Sequence, residues 1–117
     1  MRFLLLCQIQ PAAFANVSTE DEQRMMEAMM AYNHQLTQAG VLLAAGQLAM
    51  PDAAQKVFAQ NGRISTQTGP ALAGDTQIGG FYVIDVTNEA EATGWAAKCP
   101  IAQFGAVEVR EVVYSPM

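Results

Sequence analysis

The residues of this chain able to do chemistry are few: one histidine, two cysteines and an alternating acid–base pair near the C-terminus. His34 is the side chain whose ordinary pKa lies nearest neutrality, so a general acid or base would be sought there first. At about 100° per helical residue, however, it lies opposite the stripe of Met25, Met29, Tyr32 and Leu36, which places it on a solvent face with Gln23, Glu27 and Gln38. Cys7 sits inside an apolar run, and Cys99 precedes Pro100 at a helix end. An activated thiolate favours a helix N-terminus or a facing cation, so both thiols are read as structural, Lys98 being merely adjacent in sequence. A strand, a helix end and a helix's outer face do not converge on a tetrahedral centre, and neither a metal nor a cofactor is expected.

Glu108 and Arg110 are the stronger candidates. They alternate with Val107 and Val109, so a period-2 strand puts both charges on one face and both valines on the other. With the valines turned to a core, Arg110 is placed to grip a carboxylate or phosphate with two parallel hydrogen bonds, and Glu108 to act as a base or to orient the arginine. A purely structural ion pair is the competing reading. Tyr82, in the apolar run 78–86, and Asp75, in the small and flexible stretch 71–77, complete the candidate pocket. Met26 and Met30 form a lesser stripe, read as widened core packing. Gly69-Pro70 and Gly79-Gly80 lack the strand-to-helix context and lysine of a phosphate loop, so they are read as a turn and as a bulge or close backbone approach.

These groups must be positioned by a short chain. With 117 residues, 51% of them apolar, residues 1–117 form a single domain able to bury its own core. The charge is −5, from 11 acidic and 6 basic residues. With no basic cluster to track a phosphate backbone, nucleic acid is not an expected partner. The opening Met1-Arg2-Phe3-Leu4-Leu5-Leu6-Cys7 imitates a lipoprotein signal, but the run is too short and gives way to Gln8 and Gln10. It is read as a first strand, with a cytoplasmic location and no membrane partner.

Residues 2–10 form that strand, bounded by Pro11. Ser18 opens a helix that stops at Gly40. A strand over 41–49 precedes a hairpin in which Gln55–Gln60 and Arg63–Thr68 flank Asn61-Gly62, the dipeptide suited to a type I′ turn. Strand 78–86, a helix capped by Asn88 and stopped by Pro100, and a strand over 106–113 follow. Leaving out the hairpin, the order is βαββαβ: an α+β, ferredoxin-like fold with an inserted β-hairpin and both helices on one sheet face. Apolar residues fall at both strand parities, Leu4 and Leu6 beside Phe3 and Leu5, and Phe81 and Val83 beside Tyr82 and Ile84. The uncovered face therefore needs a partner, most economically a second copy packed face to face to give a homodimer with a small-molecule cleft between the sheets.

Ile78-Gly79-Gly80-Phe81-Tyr82-Val83-Ile84-Asp85-Val86, Trp95-Ala96-Ala97-Lys98-Cys99-Pro100 and Val107-Glu108-Val109-Arg110, with Gly40-Val41-Leu42 and Gly69-Pro70, resemble the YCII-related superfamily, more closely its DGPF branch. The resemblance runs from first strand to last. It implies a dimeric α/β barrel of ferredoxin-like halves, in a branch of small bacterial proteins of undefined activity, some associated with sigma factors. The motif that names the branch is degenerate here, reading Thr68-Gly69-Pro70-Ala71. The histidine proposed as catalytic in the YCII-like branch falls in register near Met29, so its role does not pass to His34.

The expectation is thus a homodimeric binding or accessory protein for a small anionic ligand. A cofactor-independent lyase, isomerase or hydrolase using Glu108 and Arg110, with Asp75 or Tyr82, is the enzymatic alternative, and a regulatory protein-binding module is the third.

Overall fold

A computed structural model describes residues 1–116. Strand β1 (Arg2–Ile9) leads to helix α1 (Thr19–Gln38), and strand β2 (Leu42–Gln47) follows. The Ser18 hydroxyl accepts from the Asp21 backbone N–H at 3.1 Å, and Glu20, Asp21 and Glu22 place negative charge at the positive end of α1. Gly40, at φ 71°, turns the chain out of the helix. Strands β3 (Gln55–Gln60) and β4 (Arg63–Thr68) pair only with each other, and Asn61 and Gly62 between them take φ of 52° and 78°. Strand β5 (Gln77–Asp85), helix α2 (Glu89–Lys98) and strand β6 (Ala106–Glu111) complete the order. Asn88 caps α2 by accepting from the Glu91 backbone N–H at 2.9 Å.

The main sheet runs β2-β5-β1-β6 with every neighbouring pair antiparallel. This α+β arrangement of two helices and an antiparallel sheet is consistent with a ferredoxin-like fold. The last strand ends at Glu111 and β2 at Gln47, both short of the sequence reading, although the next residue of each still donates one backbone hydrogen bond across the sheet, Val112 to the Arg2 carbonyl and Leu48 to the Gly79 carbonyl, both at 2.9 Å. Phe3, Leu5 and Cys7 of β1, Tyr82 and Ile84 of β5, Tyr32 and Leu36 of α1, and Ala92 and Ala96 of α2 share one buried cluster, so both helices cover the same sheet face. The stripe read from the sequence of α1 is therefore its buried face, while His34 is exposed. The small side chains of Ala92 and Ala96 let α2 lie close against β6 and β1.

Cross-strand partners share a face, which fixes what lies opposite the core. One row reads Ala44, Val83, Leu4, Arg110, and the next Gly46, Phe81, Leu6, Glu108. Between Cys7 and Gln8 the register slips: Cys7 pairs with Gly80 but Gln8 with Ile78, so Gly79 is an extra residue on β5. A side chain at Gly79 would meet Ile9 Cδ1 at 2.7 Å, and one at Gly80 would meet the Gly46 carbonyl oxygen at 3.0 Å. Glycine is what lets the strand bulge here without forcing its neighbours apart.

Candidate functional site

The alternation of β6 divides its side chains as the spacing requires. Val107 and Val109 pack on the core cluster, while Glu108 and Arg110 stand on the uncovered face. Arg110 Nε pairs with Glu108 Oε2, and Gln8 Nε2 donates to Glu108 Oε1 at 3.1 Å. Both carboxylate oxygens are thus engaged and the carboxylate is held in one orientation. Arg110 uses only Nε among the described residues, so the two-nitrogen end of its guanidinium is open to an incoming acid. The arginine is 71% exposed in the single chain, where such a pair contributes little to stability. Covering it raises both its strength and its specificity for an anion, because the local dielectric falls.

Beside this charged edge lies an apolar floor of Leu4, Leu6, Phe81 and Val83, each only partly buried. The Phe81 ring lies over Gly46, where an added Cβ would come within 2.8 Å of Cε1. A ring held flat by a glycine opposite it is a platform on which a planar molecule can stack.

The structure does not bring the other candidates to this place. Tyr82 is on the helix-covered face, where its hydroxyl donates to Asn33 Oδ1 at 2.5 Å and its ring meets Tyr32 edge to face at 5.3 Å. Tyr32 in turn donates to the Trp95 carbonyl at 2.8 Å. Burial pushes both phenols well above the ordinary tyrosine range. Strand parity is the reason: Tyr82 is one residue out of step with Phe81 and Val83. Asp75 is exposed in the loop before β5, lining a shallow depression of about 430 Å³ with Gln10, Pro11, Ala12 and Gly74.

Two groups were missed from sequence. Gln8 orients Glu108, and its signal was its even parity with Leu4 and Leu6. Cys7 and Cys99 are both buried and hydrogen-bonded to one another in the core. That bond and burial push the Cys7 thiol far up, whereas the Cys7 S–H and the Ile101 backbone bring Cys99 down to about 7 against its burial. Nothing local in the sequence marks such a pair, since only the topology brings strand and helix end together. No cluster of three or more His, Cys, Asp or Glu able to hold a metal occurs among the described residues, and no helix there is long and apolar enough to cross a membrane.

Comparison with known proteins supports the fold described above. A family model described as the YCII-related domain matches residues 1–115. The structure of 5-chloro-2-hydroxyhydroquinone dehydrochlorinase from Burkholderia phenoliruptrix AC1100, in complex with 2,5-dihydroxybenzoquinone, is similar with a TM-score of 0.56 at 15% sequence identity. The match covers 98% of this chain and 96% of that one, and at this identity it speaks for the fold alone. No curated protein matches the chain.

Proposed function

The chain belongs to the YCII-related domain family, and from that premise we propose that it acts as a homodimer whose open sheet faces enclose a cleft for a small anionic molecule. The observation that carries this reading is the Gln8–Glu108–Arg110 chain of contacts standing at the border of an uncovered apolar sheet face. Face-to-face pairing gives a dimeric α/β barrel and removes Leu4, Leu6, Phe81 and Val83 from water. Arg110 then binds the acid while Phe81 supports a planar body. On this reading the protein is a cytoplasmic one of the DGPF branch, with residues 68–71 as a degenerate form of the naming motif, and its role is binding or accessory.

A second reading is supported by the dehydrochlorinase of similar fold. An elimination needs only a base to take the proton and a cation for the departing anion, so Glu108 and Arg110 suit a cofactor-independent lyase. Thermal melts with 2,5-dihydroxybenzoquinone and benzoate as planar acidic probes test the cleft. The expected result is a saturable rise in melting temperature that Arg110→Ala abolishes, and a rise of equal size in that variant refutes the site. Chloride release from 5-chloro-2-hydroxyhydroquinone that is lost in Glu108→Gln would favour the enzyme. Absence of any release favours binding alone.

A further inference from the structure

The β3–β4 hairpin is an arm that the core does not account for. A two-stranded hairpin alone in water is marginally stable, yet this one keeps six paired positions, from Gln55–Thr68 to Gln60–Arg63. Neither strand packs substantially against any other element. The radius of gyration is 16.1 Å where about 13 Å is usual for this length, and the shortest dimension, 18 Å, accommodates only the sheet and its helix layer. The arm therefore extends sideways and does not fold back over its own open face. Along it Val57, Ala59, Ile64 and Thr66 line one side, while Lys56, Phe58 and Arg63 line the other. Val57 and Ile64 are 61% and 72% exposed, β-branched side chains left in water at the end of a projecting hairpin.

We propose that this arm, residues 55–68, clasps a second copy of the chain, seating its Val57/Ile64 side on the body of the partner. The proposal rests on the open-face dimer above and says how that dimer becomes stable. Two arguments identify the partner. The first is area: four strands about 4.8 Å apart and about 20 Å long give the open face a projected area on the order of 400 Å², roughly half of the ~800 Å² per partner that a stable dimer buries. One side of the arm is on the order of 200 Å², and each protomer buries both its own arm's side and the patch its partner's arm covers, so the exchange supplies the missing half. The second is charge. The arm carries Lys56 and Arg63 and no acid, so a chain of net −5 divides into an arm of +2 and a body of −7. The body of a like molecule is the complementary surface for the arm as a whole, although Lys56 and Arg63 stand on the side away from Val57 and Ile64.

The arm can be removed without opening the sheet, because Gly69 N–H donates to the Ala54 carbonyl at 2.8 Å and holds its two roots together. Sedimentation equilibrium on the full chain and on a chain with residues 55–68 replaced by an Asn-Gly turn measures its contribution. The expected result is a dimer whose dissociation constant rises at least about tenfold on excision and in Val57→Asp/Ile64→Asp. Circular dichroism should show the body still folded. A dimer unchanged by excision overturns the clasp and leaves the open-face reading standing, whereas a full chain that is monomeric at every concentration overturns both. A photo-crosslinking side chain at position 64, in dimers mixed from isotopically light and heavy chains, should join light to heavy. Crosslinks confined to a single chain would overturn the clasp directly.

Discussion

Opposite faces of one sheet should respond differently to the same substitution, and Leu6→Asp against Ile84→Asp measures that difference. Ile84 is fully buried under the helices. Replacing it removes about 1.5–3 kcal/mol of apolar burial and leaves a carboxyl without a partner, for several kcal/mol more. Against a total stability of about 5–15 kcal/mol for a single domain, that is most of the fold. Leu6 stands on the open face directly across from Glu108. In one chain an aspartate there adds only a like-charge pair, about 1 kcal/mol at most, or roughly 4 °C for a domain of this size. In the face-to-face dimer the same carboxylate enters an apolar interface, and a cost of about 3–4 kcal/mol weakens association by about two to three powers of ten. Circular dichroism melts and sedimentation equilibrium separate the two costs. The reasoning fails if Leu6→Asp unfolds the chain as fully as Ile84→Asp, or if it stays dimeric with an unaltered dissociation constant.

His34→Ala should leave the probe-induced melting shift intact while Arg110→Ala removes it; the opposite pattern would move acid–base chemistry to the outer face of α1. Tyr32→Phe orphans the Trp95 carbonyl and should cost about 1–3 kcal/mol, read as a melting temperature lower by roughly 4–12 °C; an unchanged melt contradicts that bond. Gly105→Ala would set a Cβ 2.1 Å from the Gln8 carbonyl oxygen, so β1 and β6 must part at a cost of about 2 kcal/mol or more, detectable as a lowered denaturant midpoint. The pH profile follows from groups whose protons bind differently in the two states. Tyr32, Tyr82 and Cys7 are held up in the fold, so the unfolded chain loses their protons first and stability should fall from about pH 9 upward. Cys99, brought down to about 7, acts with opposite sign: its share is full above about pH 8.5 and is lost as pH falls through 7. Denaturant midpoints from pH 6 to 11 test both, and a flat profile, or one in which Cys99→Ser leaves the neutral slope unchanged, refutes these assignments.

Periodicity made much of this legible. Met25, Met29, Tyr32 and Leu36 recur at helical spacing, so the buried side of α1 was readable, and with it the exposure of His34. The alternation of Val107 to Arg110 likewise separated core from charge. Strand β5 was harder because both of its parities are apolar: from the pattern alone Tyr82 looks as able to face the cleft as Phe81. Strand parity puts Tyr82 under the helices, where its hydroxyl finds an acceptor in Asn33 of α1. The Cys7–Cys99 contact had no local signal, being a product of which strand lies beneath which helix end. Gln8 is readable in principle: a polar residue closing an apolar run marks a strand boundary, but its parity also makes it a neighbour of Glu108.

The extra glycine in β5 acts on its strand as a phase shift acts on a wave. Beyond Gly79 the in-out rhythm is displaced by one, so Ile78, partnered with Gln8, stands on the same side as Phe81 three residues later. A strand without the slip would turn Ile78 towards the helices and end the apolar floor at Phe81. The floor instead runs on past Gln8, the residue that steadies Glu108. Loss of Gly79 would close the bulge and leave Ile78 opposite Gln8, whereas pairing Gly79 with Gln8 in an unbroken ladder would exchange inside for outside at Gln77 and Ile78. The length of the proposed binding surface follows from a slip in register at a residue that contributes no side chain to it.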